Sequence, residues 1–306
     1  MSTLILHHYE MSPFSEKVRA MLGYTQLPWQ SAITREMPPR PMVARLAGGY
    51  RKIPVAQMGA DVFCDSRIIA SEIAALGNRP ALALENCTAE AQTFVQRVDL
   101  EVFFACIMAG GSKELRATVR QSMSLWDIAR FAWDRINIGR TAKVKLPGIK
   151  QARPLLMAHL QQVESMLAAQ PYLFGAEPCH ADFSAYHSLW FVRDLGKKRF
   201  IADYPNTTAW LDRIKAFGHG TRTEISGETA LQIARDAKPR AIEEAATQDA
   251  AIGRQVVIAP SDYGRDGTEG TLVGSLPHRW ILARDAADLG TVHVHFPKAG
   301  FVMQPL

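Results

Sequence analysis

Cysteine is scarce in this chain, and long apolar runs are missing. The four cysteines among 306 residues, Cys64, Cys87, Cys106 and Cys179, show no Cys-x-x-Cys spacing, and most read as buried small hydrophobes, with Cys64 set apart only by its place beside Asp65-Ser66. No stretch approaches the roughly twenty apolar residues of a membrane-spanning helix, so no membrane association is expected. The start Met1-Ser-Thr-Leu-Ile-Leu6 lacks the basic head and long apolar centre of a signal peptide, and a cytoplasmic location follows as the expectation. The formal net charge is +5, but Lys and Arg are scattered, with neither a nucleic-acid motif nor an aromatic-basic stripe, so no nucleic-acid partner is expected.

What the chain does have is core. Apolar residues make up 47% and charged residues 21%, the balance of a globular protein, and the length suggests two or three domains. Thr3 to His8 has strand character. Glu16-Lys-Val-Arg-Ala-Met-Leu-Gly23 places Val18, Met21 and Leu22 at helical spacing before a closing glycine. Ser12-Pro13-Phe14-Ser15 therefore sits where a strand hands over to a helix, and the unpaired N–H groups there favour an anion such as a thiolate. Ile53-Pro-Val-Ala-Gln-Met58 and Asp61-Val-Phe-Cys64, separated by Gly59-Ala60, read as a β-hairpin. Asp65-Ser66 then opens a helix through Ile68, Ile69, Ile73 and Ala74.

These three segments, in this order and spacing, resemble the thioredoxin-like domain of glutathione S-transferases. The resemblance implies that Pro54 follows a cis bond and that Ile53 presents its backbone to the cysteinyl part of glutathione. It also implies that Asp65 and Ser66 hold the γ-glutamyl end, and that Arg40 and Lys52 meet the glycyl carboxylate and backbone. Phe14 belongs to the same glutathione-binding set. Ser12 takes the catalytic position, donating its hydroxyl hydrogen to the substrate sulfur, with Tyr9 and Ser15 as competitors. No metal is needed. Glutathione enters as co-substrate.

After Gly77-Asn78-Arg79-Pro80 the pattern changes to helical periods, and residues 88–220 read as a bundle. Phe94, Val95, Val98, Val102 and Ile107 stripe one helix. Tyr172 to Tyr186 resembles the second-domain signature of the same family, a Leu-Phe-Gly turn followed by a capped buried helix, with Cys179 in the expected Ser or Thr position and Asp182 as a structural acceptor. A thiol is a poor acceptor, so this cap is expected to be weak. Phe103, Phe104, Met108 and Trp126 are the expected lining of a pocket for a small hydrophobic electrophile.

Beyond residue 254 short β-like runs alternate with Gly, Pro and Asp, which suggests a small antiparallel sheet or barrel. His293 and His295 alternate with Val292 and Val294 on one strand face, read as a solvent-facing polar row with no metal. Asp262, Asp266 and Glu269 read as a turn. The expected architecture is an α/β thioredoxin-like domain (1–80), an all-α helical domain (88–235) and a small antiparallel β extension (254–306). The expected activity is thiolate attack by glutathione on an electrophile, in a detoxifying homodimer. A catalytically weak binding or scaffold protein, or a glutathione-dependent isomerase or lyase, is the alternative.

Overall fold

The computed structural model describes residues 3–122, 124–141, 143, 148–286 and 288–306. Strand β1 (Leu4–His8) leads into helix α1 (Pro13–Thr25), followed by β2 (Trp29–Ile33), α2 (Pro41–Ala47), β3 (Val55–Met58), β4 (Asp61–Cys64) and α3 (Ser66–Leu76). β1 runs parallel to β2 and antiparallel to β3, and β3 pairs antiparallel with β4 across Gly59-Ala60. This is the thioredoxin-like arrangement.

Local chemistry fixes the helix start that matters most. Ser12 is extended and its Oγ accepts the Ser15 backbone N–H at 3.2 Å, while Pro13 supplies a preset φ at the first helical position. Val18, Met21 and Leu22 face the core. Gly23 is required by packing: a Cβ there would lie 2.1 Å from the Gly218 carbonyl oxygen.

The helical domain comprises α4 (Ala89–Arg97), a π-helical turn at Val98–Val102, α5 (Phe103–Ala109), α6 (Lys113–Ser122), α7 (Leu125–Thr141), α8 (Ile149–Met166), α9 (His180–Trp190) and α10 (Pro205–Lys215). α9 packs on α1, and its apolar residues share one core with α1, α3 and β1. Asp182 anchors the start of α9, accepting from the Leu173 N–H (2.8 Å), the Cys179 N–H (3.0 Å) and Trp210 Nε1 (3.0 Å). The carboxylate thus carries the cap that the Cys179 thiol carries poorly.

The chain then returns to the first domain earlier than expected. β5 (Arg222–Ile225) adds to β2 in parallel, and α11 (Gly227–Arg235) packs on α2 and β2, so residues 222–235 belong with the sheet and not with the bundle. The last strands, β6 (Gln255–Pro260), β7 (Thr268–Leu276), β8 (Arg279–Ala286), β9 (Gly290–Pro297) and β10 (Phe301–Pro305), are antiparallel to one another. They form neither a barrel nor a detached sheet. β9 pairs in parallel with β4, giving one ten-stranded sheet among the described residues, in the order β10-β6-β7-β8-β9-β4-β3-β1-β2-β5. Val256, Ile258, Leu272, Leu282, Val294 and Phe296 share a core with Val43, Leu46 and Tyr50 of the first domain. Burying an open sheet edge under a continuous core removes a pairing liability.

That junction corrects the reading of the histidines. His295 is buried, stacks on Phe63 at 4.6 Å and donates from Nε2 to Asp61 Oδ1 at 2.9 Å; Asp61 Oδ2 accepts the Arg240 N–H at 2.9 Å. β9 lies beside a buried strand, so its alternation does not mark a solvent face. Burial holds His295 neutral, lowering its pKa to about 4 against the opposing Asp61 carboxylate. No cluster of metal-ligating side chains occurs among the described residues.

Candidate functional site

A cavity of about 420 Å³ opens where the ends of β3 and β4 meet α1, the α4 to α5 segment and two loops of the C-terminal strands. Phe14, Lys52, Ile53, Pro54, Asp65 and Ser66, six residues singled out in the sequence, line it together. The Ile53–Pro54 bond is cis. β3 begins only at Val55, so the Ile53 peptide group lies outside the sheet ladder.

Asp65 has φ 88° and ψ 137°, a sparsely populated region for a residue with a Cβ, and such conformations cluster at functional sites. Its Oδ1 accepts from the Arg67 backbone N–H (3.0 Å) and from Arg67 Nε (2.9 Å), and Oδ2 from Arg67 Nη2 (3.2 Å). Burial alone would raise the Asp65 pKa; the Arg67 charge and hydrogen bonds outweigh it and hold the carboxyl ionised below its usual range.

Below the cavity, Lys17 Nζ donates to Asp99 Oδ2 at 2.8 Å, and His187 Nε2 donates to Asp99 Oδ1 at 3.2 Å. Burial opposes the Asp99 charge, but Lys17 prevails and its pKa falls. Phe14 closes this layer, with its ring 4.8 Å from Phe103 and 4.5 Å from His187.

The remaining site expectations fall elsewhere. Ser12 is 3% exposed and does not line the cavity. Its Oγ accepts from Ser15 N–H, leaving the hydroxyl hydrogen as a donor. Ser15 is fully buried and Tyr9 half-buried. Arg40 is spent on the fold: its guanidinium donates to the carbonyls of Arg35 (2.7 Å), Arg51 (2.5 Å) and Glu36 (2.7 Å), and burial lowers its pKa to about 10. It does not reach the cavity.

Phe103, Phe104, Met108 and Trp126 do not form one pocket. Phe103 packs on Phe14, Phe104 meets Tyr263 edge-on at 5.2 Å, and Met108 is exposed. Trp126, 72% exposed, lines a separate groove of about 410 Å³ with Met37, Pro38 and Trp133.

Sequence reasoning missed other residues that line the cavity, among them Arg67, Asp99, Ser261, Asp262, Tyr263, Ala299 and Gly300. Asp99, a charge set inside the Val95, Val98, Val102 stripe, was the one local signal. Arg67 lies on α3 beside Asp65-Ser66, and Ser261, Asp262, Tyr263, Ala299 and Gly300 come from the extension. Lys52 Nζ donates to Asp262 Oδ1 at 2.7 Å and lies 4.0 Å from the Tyr263 ring centroid; Arg67 Nη1 donates to the Ala299 carbonyl at 2.7 Å.

The profile of the glutathione S-transferase N-terminal domain matches residues 6–81, and that of the C-terminal domain matches residues 141–213. A GST-like protein from Pseudomonas syringae superposes with a TM-score of 0.80 at 30% identity, covering 100% of both chains. The chain belongs to the glutathione S-transferase family. Because that match runs the full length of both chains, the added strands are shared with the Pseudomonas syringae protein. Glutathione S-transferase III in its apo form matches at 18% identity with a TM-score of 0.51, covering 70% of this chain and 92% of its own, a likeness of fold. No curated protein matches the chain.

Proposed function

We propose that this family member binds glutathione in the 420 Å³ cavity and activates its thiol for attack on a small hydrophobic electrophile. The observation that carries the reading is the convergence of Ile53, Pro54, Asp65, Ser66, Lys52 and Phe14 on one cavity beside the start of α1. The volume suits a small ligand. Asp65 and Ser66 would hold the γ-glutamyl end, the Ile53 peptide the cysteinyl backbone, and Lys52 the glycyl end. Arg40 is left out of this set.

The sulfur would lie at the opening turn of α1, where the Ser12 hydroxyl hydrogen and the helix dipole favour its anion. A free thiol has a pKa of about 8.5, and each unit of depression takes about 1.4 kcal/mol. One hydrogen bond to a charged group supplies about 1.5–3 kcal/mol, enough for one to two units. The site would then work as a cytoplasmic, detoxifying homodimer, with the exposed apolar face of α7 and the Trp126 groove against a second copy.

The test is turnover of an aromatic halide with glutathione. Ser12→Ala should retain the fold and lose most of the rate, with Tyr9→Phe close to wild type; equal rates for Ser12→Ala and wild type would refute the assignment. A second reading, a binding protein of the same fold without useful catalysis, draws support from the burial of Ser12. Tight glutathione binding with no turnover across several electrophile classes would favour it.

A further inference from the structure

The fold brings together two thiols that the chain keeps far apart. Cys87 closes the short helical turn Leu84–Asn86 in the linker after α3, one residue before the Thr88 cap of α4, and Cys179 is the residue that opens α9. The linker is pinned onto that helix start by His180, whose Nδ1 donates to the Leu82 carbonyl at 2.8 Å. There the Cys179 thiol donates to the Cys87 sulfur. Both are free thiols.

The two sulfurs differ in ways that suit them to different roles. Cys87 is the one cysteine of the four that is not buried. Its sulfur accepts from the His180 backbone N–H at the first position of α9, and its own hydrogen has the Ala81 and Ala83 carbonyls at 3.4 and 3.6 Å. The donated Cys179 hydrogen and that N–H, at the positive end of a helix of 11 residues, favour a thiolate on Cys87 and hold its pKa below that of an ordinary thiol. Cys179 goes the other way, its proton kept on by the bond to Cys87, by burial and by the Asp182 carboxylate. Cys64 and Cys106 are sealed in the core, where burial pushes both thiols up. Cys87 and Cys179 both have extended backbones outside the helices (φ −80°, ψ 159° and φ −120°, ψ −179°), so neither α4 nor α9 has to unwind for the sulfurs to close to about 2.05 Å.

We infer that Cys87 and Cys179 form a hydroperoxide-reactive thiol pair, with Cys87 the attacking sulfur and Cys179 the resolving one, that closes to a disulfide fastening the linker to the start of α9. The Cys87 thiolate attacks one oxygen of the hydroperoxide, the O–O bond breaks, and Cys87 becomes a sulfenic acid; the alkoxide leaves and takes up the proton that the Cys87 thiol gave up. The Cys179 sulfur then attacks Cys87, forming the S–S bond and expelling the sulfenic oxygen, which takes the Cys179 proton and departs as water. Two thiols and one hydroperoxide thus give one disulfide, one alcohol and one water. Neither sulfur lines the 420 Å³ cavity, and the inference stands whether or not that cavity binds glutathione.

The test uses the full chain, reduced and freed of reductant, with one equivalent of hydrogen peroxide at pH 7. By the time the same peroxide has oxidised half of an equal concentration of free cysteine, thiols counted with DTNB in guanidinium chloride should have fallen from four to two. A tryptic digest should then hold the Cys87 and Cys179 peptides joined by a disulfide, with Cys64 and Cys106 still reduced. Cys179→Ser should lose a single thiol, and dimedone should trap the sulfenic acid on Cys87. Cys87→Ser should keep all its thiols. Four surviving thiols in wild type, a bridge between two chains, or dimedone capture on Cys179 in Cys87→Ser would overturn the inference.

Discussion

Lowering the pH from 7 to 5 should remove a large part of this protein's stability through histidines buried as neutral imidazoles. His8, His159 and His180 are buried with pKa values lowered to about 3, and His295 to about 4, in each case chiefly by desolvation. Their environments agree. His8 Nδ1 faces Arg19 Nη1, which can only donate, at 3.0 Å, and neither ring nitrogen of His159 has a protein hydrogen-bond partner. In the unfolded chain each imidazole protonates near pH 6.5, so between that value and the folded pKa the unfolded state binds more protons and stability falls with pH. By linkage each group loses about 2 kcal/mol between pH 7 and pH 5, and the four together about 8 kcal/mol, comparable with the whole stability of a typical domain. Urea unfolding monitored by circular dichroism at pH 7, 6 and 5 measures the slope, and His159→Phe isolates one contribution. The variant should lose about 2 kcal/mol less than wild type over that interval. Identical losses, or an NMR titration of His159 near pH 6.5, would refute the argument.

Asp182→Ala strips the acceptor from three buried donors and should cost at least about 3 kcal/mol in thermal or urea unfolding, whereas Cys179→Ser, which restores a hydroxyl cap, should add about 0.5–1 kcal/mol; a cost below 1 kcal/mol for Asp182→Ala would contradict the anchoring role. Asp61→Ala should expose β4 and β9 to hydrogen exchange together, because His295 and Arg240 lose their shared acceptor; exchange confined to residues beyond 254 would mean that the last strands form a separate unit. Leu125, Trp126, Trp133 and Ile136 are 80, 72, 62 and 54% exposed on α7. Wild type should therefore run as a dimer in light scattering, and Trp126→Glu with Trp133→Glu as a monomer; a monomeric wild type would refute the proposed pairing.

The legible parts were local. The handover from β1 to α1 at Ser12, the β3–β4 turn and the helix opened by Asp65 each depend on residues within a few positions, so they could be read directly. The illegible parts join distant segments. Lys52 and Asp262 stand 210 positions apart, and Asp61 and His295 stand 234 apart. Nothing in the spacing of His293 and His295 reports that β9 docks on β4, since alternation looks the same whether the second face meets water or another layer. Arg40 is a related case. The resemblance assigns Arg40 to the glycyl carboxylate, yet the carbonyls of Arg35 and Glu36, and that of Arg51 beyond α2, take its guanidinium.

A crystal structure of the protein with glutathione tests the central claim most directly. The account predicts the tripeptide in the cavity among Ile53, Asp65, Ser66 and Lys52, with its sulfur at the opening turn of α1 within hydrogen-bond distance of Ser12. A tripeptide bound elsewhere, or a sulfur directed away from that turn while Ser12 stays sealed against Ser15, would contradict it.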